Sequence, residues 1–500
     1  MTTTNQSIRT CGGPTVPLAR ARSIAACLLT VALLGCSDKS LNITNPNAIT
    51  PEAAAGDPQA LQLLATGLII DYRNGRGGYI SDAGRFGRES YIYTPQEGRN
   101  TTHFLIGIAG ANKLDPTGFA VGGWGTQYNA MRDNYNFRNA VSKSSSLTTA
   151  QKAAALGFAK VLQAAELLEV IATRDTLGAI VDVKDNAADL APFVSRDSVY
   201  KFILATIDSG LTALAAGGTA FSFTLSNGYS GFNTPATFAQ FAQALKARAA
   251  VYYATSGGPA TAWQTAVAAL GSSFLNAGAT TRAALDVGVY HNYGPSPDAP
   301  NPLNMVNNTD LYAHMSFQAD AQLKADGSPD ARYLAKIRTG LPSRQGPIAS
   351  GGPTSAASTL GFSIWATNAS SIAVIRNEEL ILLRAEARLA TGDKSGAIAD
   401  LNVVRVNSGG LPPSTLTAAS SNDQILTGIL YEKRYSLMME GHRWVDMRRY
   451  GKLNQLPLDV SSGANANFVP KVQPIPQGEC LVRAGKTGNL LGPAGQNNCS

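Results

Sequence analysis

A dense run of charged side chains in this 500-residue chain lies at residues 431–451. Four of them alternate in sign at intervals of three positions: Glu440, Arg443, Asp446 and Arg449. Residues at that spacing are neighbours on one face of a helix, so the sequence predicts a ladder of ion pairs. The other face carries Leu437, Met438 and Trp444, which can be buried. We interpret the four charges, together with Trp444, as a structural motif that locks the last long helix against the body of the protein.

Residues that could perform acid–base or metal chemistry offer weaker patterns. His442 has Glu440 and Arg443 as close neighbours, an arrangement that can support proton transfer. The sequence favours the alternative, a structural histidine within the ion-pair ladder. The histidines are scattered without metal-ligand spacing, at His103, His291, His314 and His442. Glu378 and Glu379 are adjacent and point to different sides of a helix, so they cannot flank a sugar bond.

Two glycine-containing segments match catalytic loops only in part. Residues 484–487, Ala-Gly-Lys-Thr, end like a phosphate-binding loop, but Cys480 stands where that loop requires a glycine. Residues 228–231, Gly-Tyr-Ser-Gly, are one residue short of a nucleophile elbow. We therefore predict a protein that is not an enzyme and that uses no metal ion and no cofactor, with an exported hydrolase as the weaker alternative.

The N-terminus is typical of an exported protein. An apolar run at residues 24–34 is too short for the roughly 20 residues that span a bilayer. It ends in Leu33-Leu34-Gly35-Cys36, which resembles a bacterial lipobox. The resemblance implies cleavage before Cys36 and lipidation of that cysteine, so that acyl chains hold the protein on a membrane. We predict a signal peptide at residues 1–35, a tether at 36–54 and a single domain at 55–500, with parts at about 55–235 and 236–500.

Composition suits an exported globular protein. Hydrophobic residues make up 44% of the chain and charged residues 15%, which leaves ample material for a large core. The formal net charge is +7, and residues 1–35 contain three arginines and no acid, so the mature chain carries about +4. A charge this weak and dispersed argues against nucleic acid as a partner.

The cysteines fit the same compartment. Cys11 and Cys27 leave with the signal peptide, and Cys36 is the lipidated residue, so only Cys480 and Cys499 remain as thiols. An envelope location is oxidising, so we predict a disulfide between these two residues. Two free thiols on a frayed tail are the alternative.

Helical periodicity dominates the mature chain. The predicted helices lie at residues 58–72, 124–142, 148–174, 196–215, 236–255, 260–275, 374–391, 394–407 and 421–450. Strand-like segments are short, at residues 179–183 and 221–225. Residues 378–406 place alanines where two helices would cross and Gly392 in the turn between them, as in a tetratricopeptide-like helix pair. The sequence therefore predicts a mainly α protein of stacked helix pairs.

Several segments, in the same order, resemble the SusD/RagB family of outer-membrane nutrient-binding lipoproteins. The run from Glu432 to Arg449 is similar to the family's C-terminal pattern, which includes Glu-Gly-His-Arg-Trp. The other similar segments are Trp124 with Tyr128 and Asn134, Phe241 to Arg248, Asp330 to Tyr333, Ile375 to Glu379 with Ala385 to Ala387, and Pro474 to Pro476. The ending Asn498-Cys499-Ser500 departs from the family's usual Pro-Gly-Tyr. Together the segments cover essentially all of the mature chain.

This resemblance implies a SusD-like α-α superhelix with long irregular loops and a few short strands. It implies a lipoprotein of the cell outer membrane, palmitate-anchored and facing the exterior, that binds an oligosaccharide, a polysaccharide or another bulky nutrient. It also implies a partner, a TonB-dependent SusC-like outer-membrane barrel to which the nutrient is delivered. The alternative that the helix pairs leave open is a tetratricopeptide-type scaffold lipoprotein that faces the periplasm and serves envelope assembly.

Two predicted loops, at residues 72–99 and 287–312, mix aromatic residues with Asn, Arg and Gly. Aromatic rings pack against the faces of sugars while amides and guanidinium groups bind the hydroxyls, so these loops suit carbohydrate. The candidate ligand-binding residues are Tyr79, Tyr91, Tyr93, Arg99, Tyr290, Asn292 and Tyr293. The alternative is that most of these rings anchor long loops to the body.

Overall fold

The computed structural model describes residues 55–186, 188–295, 298–304, 309–484, 486 and 490–492. Helices dominate this part of the chain, which confirms the prediction of a mainly α protein. In chain order they are α1 (Pro58–Phe86), α2 (Arg99–Leu105), α3 (Trp124–Lys143), α4 (Thr149–Arg174), α5 (Arg196–Ala215), α6 (Pro235–Thr255), α7 (Thr261–Gly271), α8 (Arg282–Leu285), α9 (Ser316–Ala319), α10 (Ala331–Lys336), α11 (Asn377–Ala390), α12 (Lys394–Asn407), α13 (Asn422–Ser436), α14 (Arg443–Arg449) and α15 (Gln477–Arg483).

Several helices begin at side chains that satisfy their free N–H groups. Thr148 accepts a hydrogen bond from the Gln151 N–H, and the Gln151 side chain accepts one from the Thr148 N–H. Ser421 and Gln424 repeat this reciprocal arrangement at the start of α13. Such capping boxes fix the first residue of a helix, which is why the predicted starts of these two helices lie within one residue of those observed.

Neighbouring helices pack as antiparallel pairs: α4 with α5, α6 with α7, and α11 with α12. A Cβ atom on Gly157 of α4 would lie 2.9 Å from the Gly210 carbonyl oxygen of α5, so glycine is what permits the helices to cross this closely. Between α11 and α12, Gly392 has a φ of 92°, as its predicted place in the turn requires. The helix pair expected at residues 378–406 is therefore confirmed.

The strands of the described residues are short and form two-stranded antiparallel ladders. They are β1 (Ser90–Ile92), β2 (Gly288–His291), β3 (Leu311–Ala313), β4 (Ile337–Arg338), β5 (Ile348–Ala349), β6 (Gly352–Pro353), β7 (Gly361–Phe362) and β8 (Ile372–Arg376). The pairs are β1 with β3, β2 with β8, β4 with β7, and β5 with β6. These ladders lie within and between the irregular segments that connect the helices.

Neither predicted strand is present. Within residues 179–183 only Ala179 pairs, in a single bridge with Val194, and residues 221–225 join no ladder. The alternation of residues 221–225 has another cause: Phe221 and Phe223 both pack on Phe158 of α4. Apolar residues that cover a helix can thus imitate the pattern of a half-buried strand.

Helix α1 continues far past residue 72, so most of the first predicted loop is helical. The sequence suggests a loop because Gly75, Gly77 and Gly78 lower helix propensity. Packing requires one of them, since a Cβ atom on Gly77 would lie 2.6 Å from Cγ of Pro302. Tertiary contacts therefore override the local preference.

The helix predicted at residues 421–450 is broken in two. Helix α13 ends at Ser436 and α14 begins at Arg443. Between them Met439 has a φ of 56° and Gly441 a φ of 84°, which no continuous α-helix allows. The break changes which face each charge of the predicted ladder occupies. No helix of the described residues is long and apolar enough to cross a membrane.

Candidate functional site

Three of the predicted ligand-binding tyrosines of the first segment are interior residues. Tyr79 is buried in α1, and its hydroxyl donates to the Gly441 carbonyl at 3.1 Å. Tyr91 and Tyr93 are 2% and 3% exposed and stack with their ring centroids 4.9 Å apart. The Tyr93 hydroxyl donates to the Ala356 carbonyl at 2.7 Å. These rings anchor their segment to the body, as the alternative interpretation expects, and ligand contact at Tyr79, Tyr91 and Tyr93 stays a prediction.

Arg99, the fourth candidate of this segment, lies at the surface beside an exposed ring. Its side chain is 56% exposed, and it donates two hydrogen bonds to Glu97, at 2.7 and 2.5 Å. Its guanidinium carbon lies 4.4 Å from the ring centroid of Phe119, which is 42% exposed. His103 approaches the same ring edge-on, with centroids 5.5 Å apart. We call Glu97, Arg99, His103 and Phe119 the Phe119 patch.

Two short elements position the Phe119 patch. Arg99 and His103 are four residues apart on α2 and therefore share one of its faces. Phe119 begins a single 3-10 turn, Phe119–Val121, and its N–H donates to Nδ1 of His103 at 3.1 Å. Gly118 permits this approach, because a Cβ atom there would lie 2.8 Å from the same nitrogen. The ring is therefore held in place while much of its surface faces solvent.

The electrostatics of the patch follow from one ion pair. Hydrogen bonds from the Arg99 side chain, which outweigh a small effect of burial, lower the pKa of Glu97 to about 2. The carboxylate is therefore ionised at any physiological pH and stays paired with Arg99. The patch thus offers a cation, hydrogen-bonding atoms and an apolar ring, which are the groups that bind a hydroxylated ring.

A cavity of about 260 Å³ lies beside α2, with Thr101 of that helix in its lining. It is lined by Tyr93, Thr94, Pro95, Thr101, Arg344, Gln345, Gly346 and Pro347. Gly98, next to Arg99, packs against Pro347, since a Cβ atom there would lie 3.0 Å from the proline Cγ. The β1–β3 ladder, which places Tyr91 opposite Tyr312, brings the end of the second predicted loop to this region. The structure thus joins the ends of both predicted loops beside one surface.

The remaining candidates of the second loop lie elsewhere. Tyr293 is 8% exposed and packs near Arg73, whose guanidinium carbon is 5.3 Å from its ring centroid. It is an interior residue, and its contact with a ligand stays a prediction. Asn292 accepts a hydrogen bond from the Ser371 hydroxyl at 2.9 Å. Tyr290 is half-buried on β2 and lines a different cavity. Neither Tyr290 nor Asn292 takes part in the Phe119 patch.

Part of the predicted ion-pair ladder exists, in the interior. Asp446 binds Arg449 at 2.8 Å and Lys433 at 2.9 Å, and all three side chains are 2% exposed. Glu386, on α11, accepts from Lys433 at 2.7 Å and also pairs with Arg449. Burial alone would raise the pKa of Glu386, but Arg449 and Lys433 outweigh it and lower that pKa to about 2. A closed set of buried charges of this kind ties helices together.

The other two ion pairs of the predicted ladder do not form, because the helix that would align them is broken. Glu440 pairs with Arg376 on β8, at 2.8 Å, and not with Arg443. Arg443 forms no ion pair with any described residue, and burial lowers its pKa to about 10. Trp444 is fully buried and donates to the Pro470 carbonyl at 2.7 Å, as expected for a structural residue.

His442 occupies a site that disfavours its charged form. It is 4% exposed, and its Nδ1 lies 3.1 Å from the Tyr252 hydroxyl. Burial and the neighbouring Arg248 hold the pKa of His442 well below its usual range. A neutral, enclosed imidazole supports the interpretation as a structural histidine.

The predicted modification sites fall mostly outside the described residues. Cys36 and Cys499 both lie there, so lipidation of the first and pairing of the second stay predictions. Cys480 is buried and takes part in a disulfide. Among the described residues no group of three His, Cys, Asp or Glu side chains could hold a metal ion.

A larger cavity, of about 950 Å³, lies between residues 112–116 and the irregular segment 453–475. Its wall is mainly aliphatic, with leucines and prolines, and its one aromatic residue, Phe468, is only 8% exposed. A groove without an accessible ring offers little to a sugar. We therefore place the candidate site at the Phe119 patch.

Phe119 is the functional candidate that the sequence did not reveal. A lone phenylalanine in a Gly-rich segment has no periodicity, and His103 stands out in sequence only as a metal ligand without partners. The one feature of the sequence that could have pointed to Phe119 is that Arg99 and His103 lie within twenty residues of it.

Comparison with known proteins gives a consistent result. Residues 253–474 match the model of the SusD family. No curated protein matches the chain significantly. A SusD-like protein from Bacteroides fragilis is 15% identical, with 86% of this chain and 96% of that chain covered and a TM-score of 0.62.

Two further solved structures agree. A SusD superfamily protein from Bacteroides vulgatus is 15% identical, with 87% of this chain and 98% of that chain covered and a TM-score of 0.62. A laminarin-binding SusD-like protein is 15% identical, with 85% and 98% covered and a TM-score of 0.59. At such identities the likeness shows a shared fold, and the predicted SusD-like architecture is confirmed.

Proposed function

We propose that this chain, whose residues 253–474 match the model of the SusD family, is a nutrient-binding protein that captures an oligosaccharide at the Phe119 patch. The observation that carries the proposal is the exposed ring of Phe119, held between Arg99 and His103. An apolar ring packs against the C–H face of a sugar, while Arg99 and His103 reach its hydroxyl groups. A neighbour of the same fold is described as laminarin-binding, which supports a glycan as the ligand class.

We propose binding without hydrolysis. Cleavage of a glycosidic bond uses two carboxyl groups, one on each side of the bond. In the patch, Arg99 holds the Glu97 carboxylate in a two-point ion pair, and the neighbouring Asp115 accepts hydrogen bonds from the N–H and hydroxyl of Thr117. A carboxylate fixed in this way is a poor proton donor, so the arrangement favours capture of the intact glycan.

The proposal includes a location and a partner. Lipidation at Cys36 would hold the protein on the outer membrane, facing the cell exterior. A glycan bound at the patch would then pass to a TonB-dependent SusC-like barrel in the same membrane. The motif Leu33-Leu34-Gly35-Cys36 supports the anchor, and the match to the SusD family model supports the partner.

A binding screen tests the proposed activity. Purified mature protein is incubated with a panel of soluble glycans, including laminarin, and both retention and the masses of the glycans are measured. The proposal expects at least one glycan to be retained with its mass unchanged. Shortened products would indicate the hydrolase alternative, and no retention across the panel would contradict the proposal.

A localisation experiment tests the anchor. In the producing cell, Cys36→Ser should abolish membrane attachment or leave the precursor uncleaved, whereas the wild-type protein on intact cells should be degraded by added protease. Protection from protease on intact cells would favour the periplasm-facing scaffold. Mature Cys36→Ser protein that stays in washed outer membranes would contradict the lipid anchor.

A further inference from the structure

A second cavity of about 540 Å³ shares no residue with the Phe119 patch or with the cavity beside it. Its size falls within the roughly 300–1,000 Å³ typical of small-molecule sites. We call it the Tyr290 cavity. Charged and polar residues form one wall, and the other wall contains Tyr290, Ala335, Ile364, Trp365, Ile372 and Ala373.

The guanidinium groups of the polar wall are paired with carboxylates. Arg282 pairs with Asp286 and, at 2.8 Å, with the buried Glu378. Arg376 lies 3.4 Å from Asp286 and 2.8 Å from Glu440. Each guanidinium therefore already has a carboxylate partner, and a charged ligand would have to compete with these pairs.

Lys336 is a cation of this wall whose partners are carbonyl oxygens. Its Nζ donates to the main-chain oxygen of Tyr435 at 3.0 Å and to that of Ser436, the last residues of α13. The negative end of the helix dipole compensates the ammonium charge there. No carboxylate of a described residue lies within ion-pair distance. An ammonium group has three N–H bonds, so one donor remains for a ligand.

Glu440 supplies an acceptor on the same wall. Its Oε1 accepts both hydrogen bonds from Arg376, at 3.2 and 2.8 Å. Its Oε2 has no hydrogen-bond partner among the described residues, and the side chain is 13% exposed. The cavity therefore offers a free donor and a free acceptor on a wall whose guanidinium groups are already ion-paired.

The apolar wall is rigid. The Tyr290 hydroxyl donates to the Asp286 carbonyl, which fixes the ring against the cavity. Ile372 and Ala373 belong to β8, which pairs with β2, the strand that carries Tyr290. Such a wall can receive the C–H face of a ring without reorganisation.

We propose that the Tyr290 cavity is a second saccharide site, which binds a short neutral sugar. A hydroxyl group both donates and accepts, so adjacent hydroxyls can bind Lys336 and Glu440 together. The apolar wall takes the opposite face of the sugar. The inference rests on the proposed function, since it assumes that the protein meets oligosaccharides, but it concerns separate residues.

The test measures sugar binding at the Tyr290 cavity without the contribution of the Phe119 patch. In a background with Arg99→Ala and Phe119→Ala, binding of laminaribiose, maltose and cellobiose is measured by saturation-transfer NMR and titration. Ala335→Trp fills the cavity from an exposed position of α10. Leu334→Trp, at the exposed neighbouring residue that does not line the cavity, is the matched control. Both are checked for an unchanged melting temperature.

We expect at least one disaccharide to bind in this background. Ala335→Trp should weaken that binding at least tenfold, and Leu334→Trp less than twofold. Equal effects of the two tryptophans, or no binding in the background while the wild-type protein binds, would overturn the second site and leave the proposed function standing. Preferential binding of acetate or methylammonium over the disaccharides would overturn the assignment to a neutral ligand.

Discussion

Glu440 forms its ion pair with Arg376, 64 residues earlier in the chain, and not with Arg443, three residues later. Arg376 also donates to the Ser436 carbonyl, so one guanidinium binds both the end of α13 and the turn that follows it. The C-terminal charged motif is therefore a junction between α13, α14 and β8. The break between the two helices is what makes this junction possible.

Substitution of Gly441 tests the importance of the break. Its φ of 84° and a Cβ position 2.3 Å from Cε1 of Tyr79 oppose any side chain there. We expect Gly441→Ala to cost about 1–2 kcal/mol for the backbone and a further ~1–3 kcal/mol for overpacking. Gly451→Ala is the control, because its φ of 68° carries the same backbone cost with nothing within 4 Å. Denaturant unfolding of both variants measures the difference; equal losses would contradict the clash.

Asp446 and Asp423 form a matched pair of ion-paired aspartates. The Asp446 side chain is 2% exposed, whereas the Asp423 side chain, which binds Lys452, is 72% exposed. Asp446→Ala leaves Lys433 and Arg449 with one carboxylate fewer, so we expect a loss of about 3 kcal/mol or more. Asp423→Ala should cost less than about 1 kcal/mol.

Ligand affinity completes this comparison. Both variants should bind glycan as the wild-type protein does when affinity is measured on folded protein. A loss of binding in Asp446→Ala with an unchanged melting temperature would make the motif a functional site and contradict its structural role.

Glu89 should make stability depend on pH. Its side chain is buried, and burial, opposed by a hydrogen bond from the Met439 N–H, raises the pKa of Glu89 to about 7. A folded-state pKa above the unfolded value of about 4.5 means that the fold favours the protonated acid. This contribution is complete below pH 4.5 and is lost as the pH rises through 7.

Glu89→Gln removes that dependence, because an amide does not titrate. Its carbonyl oxygen still accepts the hydrogen bond from the Met439 N–H. Relative to the wild-type protein, we expect Glu89→Gln to be nearly neutral at pH 4.5 and stabilising by on the order of 3 kcal/mol at pH 8. Urea unfolding of both proteins at the two pH values measures this. A difference that does not change with pH would contradict the raised pKa.

Local patterns of the sequence predicted the scaffold well. Periodicity and small residues located the helix pairs, and Gly392 marked a turn, because those features act between residues close in the chain. The predicted strands at residues 179–183 and 221–225 are wrong because contacts between residues distant in the chain decide their structure. Phe221 and Phe223, for example, cover α4, a contact that the local pattern does not show.

The ligand-binding candidates show a second limit of the sequence. Tyr91 and Arg99 belong to the same aromatic and polar segment, but Tyr91 is interior because its hydroxyl donates to Asp459, 368 residues away. No local feature distinguishes an anchoring ring from an exposed one when the anchor is so distant. Phe119 became a candidate only when the fold placed it between Arg99 and His103.

The affinity of the Phe119→Ala variant tests the central claim most directly. The glycan retained most strongly by the wild-type protein is titrated against wild type, Phe119→Ala and Leu323→Ala, a control at a residue that is 59% exposed outside the patch. We predict that Phe119→Ala weakens binding at least tenfold, about 1.4 kcal/mol, at an unchanged melting temperature, and that Leu323→Ala changes it less than twofold. An affinity of Phe119→Ala equal to that of Leu323→Ala would contradict the account.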